Sequence, residues 1–318
     1  MAIGRKCKAC RASRGALHEP LTTILPPHIL ESDQFFPHID PSWRHVKMTT
    51  SKVKPQSKFA EANGLRLHYN EWSTQGTPLV FLHGITGSSN SWDAIAPSFV
   101  DDYRVMAFDL RGHGQSGKPD SGYGWETDYA RDISTFITEQ LDEPAIVVGH
   151  SLGATVSAPV AVQAGEAVRA IVMEDPPAFV HDNEDAPRAR FASVLSIKAM
   201  PFEQRVEELM KTMNLTRDAA TVRAGNYGNM SEGVMNDLLA GGSAYSADNL
   251  LPKVARPTLV ILGNPNKGSV VDWTDRPRLQ RLLKGSKILE WPEVGHGIHS
   301  EAPERFISTV SEFLQTLS

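Results

Sequence analysis

The chain has 318 residues, 41% of them hydrophobic and 22% charged, with a formal net charge of −5 and a pI near 6.1. This length supports one large core with an inserted subdomain, and the mildly acidic balance argues against nucleic acid or an anionic membrane as a partner. No apolar run reaches the roughly 18 residues of a membrane span, and neither an internal repeat nor a low-complexity tract is present.

Residues 1–57 read as an N-terminal extension, expected to be disordered. They mix Arg5, Lys6, Lys8, Arg11 and Arg14 with Pro20, Pro26, Pro27, Pro37 and Pro41, with neither helix nor strand period. An Arg-rich start raises a transit peptide, yet a convincing amphipathic stretch is missing. Met48 heads a polar leader just before the first strand-like segment and reads as an alternative start, which the intact mass of protein from its native host would decide. Cys7 and Cys10 are the only cysteines. Their Cys-x-x-Cys spacing has no second ligand pair and no strand-helix context, so they read as thiols on a tail, with no metal and no cofactor expected. A body without cysteine lacks disulfide staples, which makes the cytoplasm the default location.

The first structured stretch, Phe59 to Trp72, reads as a hairpin turning at Asn63-Gly64. A short apolar strand, residues 78–82, ends at His83-Gly84. A second, residues 104–109, leads into Asp109-x-Arg111-Gly112-x-Gly114-x-Ser116, whose glycine spacing reads as a tight turn that supports a site and leaves the chemistry to others. Tyr129, Ile133, Phe136, Ile137 and Leu141 recur at helical spacing over residues 126–141. Ala145-Ile146-Val147-Val148 reads as a buried strand, and 152–164 as a helix of small and apolar residues. Another buried strand, Val168 to Met173, ends in Glu174-Asp175-Pro176-Pro177. This strand-helix alternation predicts a parallel, doubly wound sheet, with ligands beyond the carboxyl ends of its strands, where His83, Asp109, Ser151 and Glu174 fall.

From 178 to 250 the pattern changes to helices without strands: 187–199, 202–213, 216–224 and 231–239. Met200, Met210, Met213, Met230 and Met235 lie in this stretch. Thioether side chains suit an adaptable apolar pocket, but ordinary packing accounts for most of them, and none is singled out. The sheet resumes at residues 256–263 and closes with a strand at 287–291. Gly295-His296-Gly297 follows, then an amphipathic helix through Phe306, Ile307, Val310, Phe313 and Leu314.

Between strand 145–148 and helix 152–164 lies Gly149-His150-Ser151-Leu152-Gly153. A strand that becomes a helix within two or three residues forces its central serine into a strained backbone and leaves the hydroxyl exposed. With the glycine-bearing loop His83-Gly84-Ile85-Thr86-Gly87 before it and His296 after the last strand, the sequence resembles the α/β-hydrolase family. The resemblance implies a mostly parallel, doubly wound sheet with an inserted helical cap: core 58–177, cap 178–250, core 251–318. It further implies Ser151 as nucleophile, His296 as base, and the backbone amides of Ile85 and Leu152 as oxyanion donors.

The acid departs from the family pattern. The position where most members carry Asp holds Asn266, an amide with no charge to stabilise an imidazolium. Glu174, at the end of the preceding strand, is the expected acid, a placement similar to that in lactone hydrolases of the zearalenone type. Asp175 beside it is the alternative, Asp272 a third, and a merely structural Glu174 the competing reading. The function implied is a serine hydrolase that cleaves a carboxylic ester, lactone or amide of a small, largely apolar substrate through an acyl-enzyme. The alternatives are carbon-carbon bond hydrolysis or perhydrolysis on the same scaffold, and a ligand receptor derived from a hydrolase.

Overall fold

Asn63 and Gly64 take φ of 52° and 70°, the two left-handed conformations that a two-residue hairpin turn requires. They join β1 (Gln56–Ala62) to β2 (Leu65–Glu71), which pair antiparallel from Gln56 with Glu71 to Ala62 with Leu65. The structure, a computed structural model, describes residues 53–180, 185–239 and 245–317. The readings made of Cys7, Cys10 and Met48 lie outside the described residues.

Five further elements follow in alternation: β3 (Thr77–Leu82), β4 (Tyr103–Phe108), α1 (Ala130–Gln140), β5 (Ala145–His150) and α2 (Leu152–Ala164), before β6 (Val168–Glu174). Then come β7 (Phe179–Val180), α3 (Asp185–Lys198), α4 (Phe202–Met213), α5 (Arg217–Asn229), α6 (Glu232–Asp237) and β8 (Tyr245–Ser246). The chain closes with β9 (Thr258–Leu262), α7 (Asp275–Leu282), β10 (Lys287–Glu290), α8 (Ile298–Glu301) and α9 (Pro303–Gln315). Eight strands form one sheet in the order β1-β2-β4-β3-β5-β6-β9-β10. The hairpin joins β4 antiparallel, and β4 through β10 run parallel. This is the mostly parallel, doubly wound sheet expected.

Leu79 to Leu82 and Val147 to Val148 are wholly buried, because a parallel sheet is covered on both faces and its strands are apolar throughout. One face packs under α1 and α2. The other packs under α9, through Phe306, Ile307, Val310, Phe313 and Leu314, and around Trp92 and Phe99. Helix α2 is buried from Leu152 to Ala161, which its run of small and apolar residues permits.

Two features were not read from the sequence. Helix α7 opens Asp275-Arg276-Pro277-Arg278 and has no apolar stripe to betray it. The ribbon of β7 with β8 joins residues 67 and 65 apart, Phe179 with Ser246 and Val180 with Tyr245, a pairing that short strands do not announce. It ties together the two ends of the segment inserted between β6 and β9.

The loop after β4 is a polar knot that serves structure. Asp109 accepts the amides of Ser89 at 2.6 Å and Gln115 at 2.8 Å, and faces His68 Nδ1 at 2.7 Å. Burial pushes its pKa up, but these bonds outweigh burial and hold the carboxylate well below the usual range. Arg111 grips Asp132 of α1 with two nitrogens, at 2.7 and 2.6 Å, so neither group is offered to a substrate. Removing the carboxylate in Asp109→Ala leaves the buried Ser89 amide and the Gln115 amide without their acceptor. It is expected to cost about 3 kcal/mol, seen as a lower urea midpoint with unchanged slope.

Candidate active site

Strand β5 ends at His150 and α2 begins at Leu152, which leaves Ser151 alone at the junction with φ 52° and ψ −115°. Such a backbone costs a non-glycine residue on the order of 1–3 kcal/mol and persists only when its surroundings over-determine it. Here the Ser151 amide donates to the Glu174 carbonyl at 2.9 Å, and its own carbonyl accepts from Thr155 at 2.9 Å. The turn closes because Gly149 and Gly153 have no Cβ; one on either would lie 2.2 Å from a backbone oxygen, of Gly153 and Leu82 respectively.

The loop after β3 crosses directly over this turn, so close that a Cβ on Gly84 would lie 3.3 Å from Ser151 Cβ. Ile85 follows in that loop, and Leu152 opens α2, where the first amides have no acceptor within the helix. Among the described residues neither amide donates to a carbonyl elsewhere in the chain. The loop itself is pinned by two buried histidines. His83 donates from Nδ1 to the Gly84 carbonyl at 2.7 Å and accepts the Leu110 amide on Nε2 at 3.0 Å. His113 sets its ring nitrogens against the carbonyls of Arg111 at 2.8 Å and Ile85 at 2.7 Å.

The two acidic residues at the end of β6 serve two different histidines. Asp175 Oδ2 is 2.7 Å from His296 Nδ1. The same carboxylate accepts Ser269 Oγ at 2.6 Å, the Val270 amide at 2.9 Å and the Gly263 amide at 3.3 Å. Glu174, the acid expected from the sequence, does not hold His296. Its carboxylate takes the backbone amide of His299 at 2.9 Å and His299 Nδ1 at 2.8 Å, and the His299 ring stacks on Trp92 at 4.5 Å. The reason is the pleat: successive residues of a strand face opposite sides. Glu174 is the last residue of β6, while Asp175 steps off the strand with φ 46° and turns toward the loop after β9. That loop, where Asn266 occupies the usual acid position, instead donates its hydrogen bonds to Asp175. Asn266 is exposed, and Asp272, also exposed, accepts the amides of Thr274 and Asp275 in a local turn.

His150 has a role that its place in the Gly149–Gly153 motif does not announce. Its Nε2 donates to the His296 carbonyl at 3.0 Å, and the two rings sit 4.7 Å apart. The residue before Ser151 thus fastens the backbone of His296. One donor atom from each of His150, Glu174 and His299 lies within 4.8 Å of the others, a zinc-like ligand set. Its carboxylate is already engaged by the two His299 donors, so the cluster is closed by its own hydrogen bonds. The signal available in the sequence was a doublet, two adjacent carboxylates and two histidines three residues apart.

Known proteins share this fold. The model of the alpha/beta hydrolase fold matches residues 77–196. A 2-(acetamidomethylene)succinate hydrolase of Mesorhizobium japonicum is 29% identical over 252 residues, covering 75% of this chain and 88% of that protein. The crystal structure of E-2-(acetamidomethylene)succinate hydrolase aligns with a TM-score of 0.72 at 25% identity, over 82% of this chain and 99% of that one. The protein is an enzyme of the α/β-hydrolase fold. An esterase of Rhodococcus sp. ECU1013 aligns with the hydrolase at a TM-score of 0.67 and 27% identity, over 83% of this chain and 100% of that one. No helix among the described residues is long and apolar enough to cross a membrane.

The hydrolase keeps its supporting histidines uncharged. Burial pushes the His83 and His150 pKa values down to about 3 and lowers that of His113, against the pull of nearby acids and carbonyls. In the unfolded chain these rings protonate near 6.5. Between about pH 6.5 and 3 the unfolded state therefore binds more protons, and stability rises with pH across that window. Thermal unfolding is expected at a lower Tm at pH 5 than at pH 7.5, with net proton uptake on unfolding measurable by calorimetry in buffers of different ionisation enthalpy. A Tm that is flat or rises toward pH 5 contradicts this.

Proposed function

We propose that the hydrolase cleaves a carboxylic ester, lactone or amide through an acyl-enzyme, with Ser151 as nucleophile, His296 as base and Asp175 as acid. The observation that carries this reading is the 2.7 Å bond from His296 Nδ1 to a buried Asp175, with the His296 carbonyl held by His150, the residue before a serine at φ 52°. With Nδ1–H committed to the carboxylate, Nε2 keeps its lone pair for the serine proton. Ser151 Oγ bonds to the carbonyl carbon as its proton passes to Nε2. The developing oxyanion meets the amides of Ile85 and Leu152. His296 returns the proton to the departing alcohol or amine, and water then releases the acid by the same steps in reverse roles. The relative named for a succinate bearing an acetamido group brings amides into the substrate range alongside esters and lactones. Residues 178–250, tied at their ends by the β7–β8 ribbon, serve as the cap over this site.

Ser151→Ala is expected to abolish turnover with an unchanged melting temperature. Asp175→Asn should lower kcat on the order of 10³–10⁴-fold, since the ring loses its orienting and charge-stabilising partner. Glu174→Gln disturbs only the packing of the loop that carries His296 and should cost about ten- to a hundredfold. A loss for Glu174→Gln equal to that for Asp175→Asn would return the acid role to Glu174. Single-turnover binding without multiple turnovers on 4-nitrophenyl esters would instead favour a ligand receptor.

A further inference from the structure

Helix α5 lies against the loop that continues from the oxyanion turn. The Ser88 hydroxyl is 3.1 Å from Asn226 Oδ1, and the Asn226 amide reaches Asn90 at 3.5 Å. Helix residues three and four apart share a face, so Arg223 and Tyr227 stand on the side that carries Asn226. Tyr227 is 1% exposed, and its hydroxyl interacts with Thr86, the residue after Ile85, and with the Arg223 guanidinium. Burial pushes the phenol pKa up, while the fields of Arg223 and Arg190 pull it down. A continuous polar path thus runs from Arg223 through Tyr227 and Thr86 to the oxyanion turn.

Arg223 is half-buried, and it meets Met213 Sδ at 3.4 Å from Nη1 and the Tyr227 hydroxyl, neither of which carries a charge. Among the described residues no carboxylate pairs with it. Other arginines meet carboxylates, Arg104 with Glu71, Arg111 with Asp132 and Arg276 with Glu290, while Arg205 donates from Nη1 and Nη2 to the backbone carbonyls of Ala224, Lys198 and Met200 and leaves its Nε without a partner. A guanidinium drawn out of water without an anion is costly, and its flat fork fits a carboxylate through two parallel bonds. Arg190 on α3, exposed, adds a second positive field at the same phenol.

We propose that Arg223, with Tyr227 beside it and Arg190 nearer solvent, is a subsite for a carboxylate on the substrate. The inference rests on the acyl-transfer reading above and narrows its substrate class. In place of a largely apolar molecule, the enzyme takes an ester or amide that also carries a free acid, such as a half-ester of a short dicarboxylic acid. The anion docks on Arg223 while the scissile carbonyl sits in the oxyanion turn.

The test compares 4-nitrophenyl hemisuccinate with 4-nitrophenyl butyrate, which match in chain length and differ in charge. The ratio of their kcat/KM values in the wild-type enzyme should favour the anion by at least about tenfold. It should collapse by a similar factor in Arg223→Gln and recover in part in Arg223→Lys, which keeps the charge but not the fork. Succinate should also slow fluorophosphonate labelling of Ser151 in the wild type and lose that effect in Arg223→Gln. An unchanged ratio in Arg223→Gln overturns the subsite. If neither ester turns over and Ser151 resists the phosphonate, the acyl-transfer reading has failed instead. The subsite then stands or falls on whether succinate raises the Tm of the wild type and not of Arg223→Gln.

Discussion

Two adjacent carboxylates at the end of β6 bind the loops of the candidate site together, and the rest of that site depends on their facing opposite ways. Asp175 gathers the loop after β9, through Gly263, Ser269 and Val270, onto His296. Glu174 gathers His299 and the start of α8. Both are fully buried, and a buried carboxylate without partners is worth several kcal/mol of instability. The strands can therefore close only with these loops in position, and assembling the fold assembles the site.

The same economy governs the serine. Ser151 is strained, and the strain is offset by bonds to Glu174 and Thr155 and by close packing that only Gly149 and Gly153 allow. The Glu174 main chain thus fixes the Ser151 backbone while its side chain fixes the segment bearing His296. His150 completes the loop from the other side, through the His296 carbonyl. A buried network of this kind holds side chains within a narrow geometry, which is what the proposed acyl transfer demands of its scaffold.

The outer elements follow different physics. The core strands are dictated by burial on both faces, whereas the helices between β6 and β9 join the core on one side, through buried apolar residues such as Val234 and Met235 and polar contacts, Asn226 with Ser88 among them. On α5 a half-buried arginine, Arg223, shares the face that carries Asn226. It motivates the proposal of a charged substrate, which methionine content alone would not suggest, because a count of apolar side chains says nothing about which cations lack a carboxylate.

Much of the architecture was legible in the residues themselves. The hairpin at Asn63-Gly64, the apolar runs of the parallel strands, the helix from Leu152 to Ala164 and the elbow around Ser151 are local consequences of turn chemistry, burial and sterics. Helix α7 and the β7–β8 ribbon were not legible, since one has no apolar stripe and the other joins residues far apart in the chain. The choice between Glu174 and Asp175 was beyond sequence for a sharper reason. Both carry the same functional group one residue apart, and only the pleat of β6, with the backbone turn that follows it, determines which of them meets His296.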